Sequence, residues 1–185
     1  MTGKIRSNTF VRDAVVADAE AVAAIGRVAF PAWAKPLVDA SVVDAIVEQT
    51  YSLPALRDCI TYCGQGNDAC FLVAERDGKV VGYLHFDCEG PEPELHRIYV
   101  DPTQKRGGIG STLLRELHSR LDPGTAYVLL VHAKNHAAIA FYEHYGFVEE
   151  GRADGPTHFR EHMEIELPLD APEVPSLVLR FTKPG

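Results

Sequence analysis

The sequence predicts one α/β domain with helices packed on a mixed sheet, on three observations. The apolar pattern runs strand, helices, a meander of strands, then strand–helix–strand–helix–strand. Two apolar runs, 70–75 and 80–86, are joined by Arg76-Asp77-Gly78-Lys79, and Asp-Gly between such runs is a strong hairpin signal. The chain has 185 residues, 46% hydrophobic and 24% charged, which suits one core and neither a disordered nor a fibrous class.

The elements follow in order. Residues 10–15 read as a first strand, and Asp18 is a candidate N-cap for a helix carrying Val22, Ile25 and Ala29 at helical spacing. A second helix covers about 38–48, with Val42, Ala45 and Ile46 on one face. Ser52-Leu53-Pro54 opens a third, since proline fits a first turn. Gly64, Gly66 and Asn67 break the pattern before the hairpin. Residues 88–93 form a loop, and 94–100 form a strand stopped by Asp101-Pro102. A glycine cluster then leads into a helix over about 109–121, with Leu113, Leu114, Leu117 and Leu121 in period. Residues 126–131 read as a buried strand, and 135–145 as a helix closed by Gly146. Further strands are expected at 147–151 and 162–167. From Pro168 the chain is proline-rich. The domain is therefore expected to span 1–168, with 169–185 as a tail in which 177–181 could add an edge strand.

Charge narrows the partners. The formal net charge is −8, from 26 acidic and 18 basic residues, and no basic stripe is available, so nucleic acid is not an expected partner. An acidic surface attracts cationic small molecules or peptides. No apolar run is long enough to cross a bilayer, and the first residues lack the apolar core of a leader, so a cytoplasmic location without membrane association is expected. Cys59 and Cys63 would share a helix face, but Cys59, Cys63, Cys70 and Cys88 form no C-x-x-C pair. Reduced, partly buried thiols are expected rather than a metal or redox centre. His132 and His136 also lie four apart, but no partner at ligand spacing supports a metal there.

The chemistry concentrates in Ile98–Leu114, IYVDPTQKRGGIGSTLL. A strand turns through Lys105-Arg106-Gly107-Gly108-Ile109-Gly110 directly into an amphipathic helix. The first N–H groups of a helix lack internal acceptors and sit at the positive end of its dipole. Glycines let an anion approach the backbone, and Lys105 and Arg106 add full charges; together these features describe a pyrophosphate cradle. A P-loop would need Gly-Lys-Ser/Thr, and a dinucleotide fingerprint would need G-x-G-x-x-G early in a βαβ unit. Neither is present.

Two motifs in this region carry a resemblance. Val100-Asp101-Pro102 followed by Lys105-Arg106-Gly107-Gly108-Ile109-Gly110 resembles the acetyl-coenzyme A motif Q/R-x-x-G-x-G/A of the GNAT N-acetyltransferase superfamily. Lys105 stands where that pattern has Gln or Arg, giving a point charge without a bidentate fork. Asn135, Ala138-Ile139-Ala140-Phe141-Tyr142 and Tyr145-Gly146-Phe147 resemble the superfamily's N-x-x-A-x-x-F-Y-x-x-x-G-F signature. The resemblance spans roughly residues 10–167 in element order. It implies the GNAT fold, a central, mostly antiparallel sheet with flanking helices. It also implies an enzyme that moves an acetyl group from acetyl-coenzyme A to an amine.

The resemblance further implies that the main chain of Ile98, Tyr99 and Val100 pairs with the pantetheine arm. Lys105, Arg106, Gly107, Gly108, Gly110 and Ser111 would hold the pyrophosphate, and Asn135, Ala138, Phe141 and Tyr142 would line the cofactor. Tyr142 is the candidate acid, because a phenol with a reference pKa near 10 can protonate a thiolate whose thiol lies near 8.5. Glu94 is the first candidate base and His96 the second, acting directly or through water. Simple strand alternation puts Glu94, His96, Ile98 and Val100 on one face. The string 94–100, with Gln49-Thr50-Tyr51-Ser52, also resembles a bacterial subgroup that includes spermidine/spermine acetyltransferases. The acceptor is thus expected to be a small-molecule or peptide amine, a polyamine first, and assembly as a homodimer is left open. Acetylation of a protein N-terminus or lysine is the nearest rival, and a non-catalytic acyl-coenzyme A-binding module the rival from another class.

Overall fold

A computed structural model describes residues 9–66, 68–104, 107–162 and 165–185. The strands are β1 (Thr9–Asp13), β2 (Cys70–Arg76), β3 (Lys79–Asp87), β4 (Glu94–Val100), β5 (Ala126–His132), β6 (Val148–Asp154) and β7 (Pro175–Thr182). The helices are α1 (Ala19–Ala34), α2 (Ala40–Thr50), α3 (Leu53–Cys63), α4 (Ile109–Arg120), α5 (His136–His144) and α6 (Gly155–His162). One seven-stranded sheet runs β1-β2-β3-β4-β5-β7-β6, antiparallel at every junction except β4–β5. The helices α1, α2 and α3 cover one face, where Val22, Ile46 and Leu56 meet Phe71, Val73 and Tyr83. On the other face α4 packs Leu113, Leu114 and Leu117 against Leu84, Phe86 and Leu129, and α5 joins through Ile139 and Phe141.

Local signals set several elements. Ser52 caps α3 by accepting from the Ala55 N–H at 3.3 Å, with Pro54 in the first turn as expected. The hairpin turn has Asp77 at φ 52° and Gly78 at φ 74°, the paired left-handed residues that Asp-Gly favours. Asp18 plays a different part from the expected cap. Its side chain accepts from the Val15 N–H at 2.8 Å and is gripped by Arg12 at 2.7 and 3.0 Å, and it makes no cap bond to α1.

Gly26 on α1 is required by packing. A Cβ there would lie 2.2 Å from the buried Tyr51 ring, whose carbonyl accepts from Arg27 at 2.9 and 3.1 Å. Gly26→Ala is expected to cost about 1–3 kcal/mol through overpacking, read from the midpoint of chemical denaturation. An unchanged midpoint would show that the ring has room to move.

The C-terminal segment departs from expectation. Residues 177–181 belong to β7, which is interior rather than an edge: it pairs with β5 from Ala126↔Thr182 to His132↔Ser176, and with β6 on its other side. The stretch from 169 onward therefore completes the sheet instead of trailing from it. The expected strand at 162–167 is absent among the described residues, since 155–162 is helical. Ile165 and Leu167 are buried as alternation requires, but the backbone between them pairs with a side chain. The Gln49 amide donates to the Glu166 carbonyl at 2.7 Å and accepts from its N–H at 2.8 Å.

Candidate active site

The sheet opens between β4 and β5. The two strands pair only at Glu94↔Val128, with Val128 N–H donating to the Pro93 carbonyl at 3.0 Å. Beyond that point they diverge, and among the described residues no strand neighbours the β5-facing edge of Ile98, Tyr99 and Val100. Residues 96–100 are half-buried throughout, as an open edge makes them. A groove of about 330 Å³ occupies the gap, walled by these residues, Trp33, His132, Asn135, Ala138 and Tyr142. Asn135 accepts from the Ala138 N–H at 3.3 Å and so starts α5 while lining the groove. Trp33 Nε1 donates to the Tyr99 hydroxyl at 3.4 Å. Burial raises the Tyr142 phenol above its ordinary value, so it keeps its proton at neutral pH.

At one end of the groove lies the start of α4. Gly108 takes the left-handed conformation, φ 72°, and has no side chain to occupy the cap position. The first-turn amides of Ile109, Gly110 and Ser111 are thus offered outward. Gly110 sits against the groove wall, where an added Cβ would be 3.7 Å from the Phe141 ring. Lys105 and Arg106 lie outside the described residues. A brace from β2 was not legible in the sequence. Arg76 donates to the Thr9 hydroxyl at 2.7 Å, to Gln104 at 3.1 Å and to the Gly107 carbonyl at 3.4 Å, fixing the turn before the helix.

On the other side of the β4–β5 contact is an open pocket of about 790 Å³, lined by Asp87, Glu89, Glu92, Glu94 and Glu161 with Arg97 and three histidines. His96, Arg97 and Leu130 line both this pocket and the groove. Glu94 Oε1 is 2.9 Å from His158 Nε2 and 3.6 Å from His96 Nδ1, and His96 Nε2 is 2.8 Å from Asp87 Oδ2. Carboxylates and imidazoles therefore alternate along one wall. Burial works against the Asp87 charge, but His96 and the Glu89 N–H hold its carboxyl below the usual range. Burial, then the charges of Arg97 and His96, push His85 well below the ordinary imidazole value, so it is neutral.

One sequence expectation fails at this wall. A bulge in β4 interrupts the alternation: Phe86 pairs with Leu95 and His85 with Arg97, leaving His96 as the extra residue. His96 consequently stacks on His85, with ring centroids 5.0 Å apart, whereas Ile98 and Val100 pack into the α4 side of the sheet. His158 could not be found by spacing, since it lies 64 residues beyond Glu94.

A sheet open on one edge beside a glycine-started helix has structural counterparts among solved acetyltransferases, and this chain shares their fold. The PaiA N-acetyltransferase of Thermoplasma acidophilum, solved with coenzyme A, superposes with a TM-score of 0.74 over 95% of this chain and 99% of that one, at 20% identity. Residues 67–149, from the approach to β2 into β6, match the family described as the acetyltransferase (GNAT) domain. Among curated relatives, a mycothiol acetyltransferase of Rhodococcus erythropolis is 31% identical over 116 residues, 62% of this chain and 35% of the relative. A spermidine N(1)-acetyltransferase of Thermoplasma acidophilum is 24% identical over 142 residues, 76% of this chain and 88% of the relative. In four of the relatives the matched part is between 35% and 63% of the relative's own length. Among the described residues, no helix is long and apolar enough to cross a membrane.

Proposed function

We propose that this chain is an N-acetyltransferase that transfers the acetyl group of acetyl-coenzyme A to a primary amine, with a small cationic amine such as a polyamine as acceptor. The observation that carries this reading is the junction between groove and pocket: a site shaped for an extended anion meets an acid-lined cavity at His96 and Arg97. Acetyl-coenzyme A supplies an activated thioester. For it, Gly107, Gly108, Gly110 and Ser111 present backbone amides to the pyrophosphate, joined by the charges of Lys105 and Arg106. The open edge of Ile98, Tyr99 and Val100 extends the sheet onto the pantetheine amides, and Asn135, Ala138 and Phe141 wall the arm.

Tyr142 lies in that groove and holds the proton that a departing thiolate requires. Glu94 faces the acceptor pocket, paired with His158, and takes the proton that the attacking amine must lose, directly or through a water. Five carboxylates in one cavity favour a ligand with more than one positive charge. The likeness to the spermidine acetyltransferase adds support. A cytoplasmic site of action fits four free cysteines, which a reducing compartment preserves.

The test is release of coenzyme A thiol from acetyl-coenzyme A with a panel of polyamines, amino acids, aminoglycosides and peptides. Polyamines should give the highest kcat/KM, and that value should fall as ionic strength rises. Turnover confined to peptides would replace the acceptor. Binding of acetyl-coenzyme A without thiol release to any amine would make the chain a binding module.

A further inference from the structure

Beneath the acidic pocket, α3 and β3 bring together a set of donors that the acetyl-transfer reading does not use. Cys59 and Cys63 are one turn apart on α3, so their thiols project from the same face. Opposite them, β3 presents His85, buried and stacked on Phe71 at 5.4 Å between centroids. His85 Nε2 lies 3.3 Å from Cys59 Sγ and 3.4 Å from Asp87 Oδ2. One donor atom from each of Cys59, Cys63 and His85 lies within 4.8 Å of the other two, and the same holds for His85, Asp87 and His96. The buried His85 Nδ1 has no hydrogen-bond partner among the described residues.

Tetrahedral zinc with bonds of about 2.0–2.3 Å sets its ligand atoms roughly 3.3–3.8 Å apart, so this trio is near the required spacing before any ion pulls it in. Two thiolates and an imidazole are borderline-soft donors, which suit zinc and disfavour magnesium or calcium. We propose that Cys59, Cys63 and His85 bind one zinc ion, with the fourth position filled by Asp87 or water and the carboxylate of Asp87 steadied by His96. The ion ties α3 to β3 and fixes the floor of the pocket, whatever the acceptor proves to be. Cys59, Cys63 and His85 take no part in the acetyl transfer proposed above. Sequence spacing pointed away from it, because the histidine comes from a strand 22 residues past the second cysteine.

The test uses the full chain without an affinity tag, kept reduced and stripped with a chelator. It is titrated with zinc against a chromophoric chelator, and separately with cobalt(II) under an absorption spectrometer. One equivalent of zinc should bind, and cobalt should give a thiolate-to-metal charge-transfer band with the intense visible bands of four-coordinate geometry. Loss of an outer partner usually weakens a site about 10–100-fold, so Cys59→Ser or Cys63→Ser should weaken zinc by at least about a hundredfold and remove the band. Cys70→Ser, whose side chain packs in the α4-side core, should leave both unchanged. Thermal melts of the metal-free variants that match the parent exclude misfolding as the cause. No stoichiometric zinc, or unchanged affinity in the Cys59 and Cys63 variants, overturns the proposal. Should those variants fail to fold, a parent cobalt spectrum without the charge-transfer band overturns it alone.

Discussion

Tyr142→Phe is expected to lower kcat by about 10²- to 10⁴-fold, the range for a positioned general acid, while the Kd for acetyl-coenzyme A stays within about twofold. The substitution removes one oxygen. The ring keeps its neighbours, Phe141 and Phe147, each 5.3 Å away between centroids. Because burial raises the phenol's pKa, the wild-type group is fully protonated at neutral pH and ready to donate. Pre-steady-state thiol release and calorimetry separate the two readouts. Equal loss in binding and turnover would make Tyr142 a wall of the groove, and undiminished kcat would remove it from the chemistry.

Glu94→Gln is the second large effect. In the proposed reaction the Glu94 carboxylate takes the proton that the attacking amine must lose. The amide cannot ionise. It should lower kcat/KM by about 10²-fold or more. The shape of glutamine preserves a contact to His158, now 2.9 Å from Glu94 Oε1, so the loss reports on charge rather than packing. His158→Asn should cost less, because the carboxylate remains. A Glu94→Gln kcat/KM equal to that of the wild type would assign deprotonation to bulk water.

What the sequence made legible was local. The Asp-Gly hairpin, the Ser52 cap and the glycine turn into α4 are each specified within a few adjacent residues, and each formed as read. Of the candidate site residues, Ile98, Tyr99 and Val100 on β4 and Asn135, Ala138 and Tyr142 on α5 line one groove, brought together by the gap between β4 and β5. What escaped depends on distant partners. The bulge that turns His96 away exists only in the register with β3. Residues 165–167 satisfied the alternation rule, yet Gln49, 117 residues earlier than its Glu166 partner, replaced the neighbouring strand. The Arg76 brace, His158 and the Cys59–His85 contact likewise join positions that no window of sequence contains.

The placement of β7 also governs the order in which the molecule can be built. β7 follows β5 and β6 along the chain, yet among the described residues β6 has no other sheet partner and β5 has only one other pairing, the single contact at Glu94↔Val128. The half of the sheet formed by β1 to β4 can therefore assemble by short-range pairing during synthesis, while the far half waits for β7. Until then α5 has only part of its floor, and the wall that carries Tyr142 stays unset.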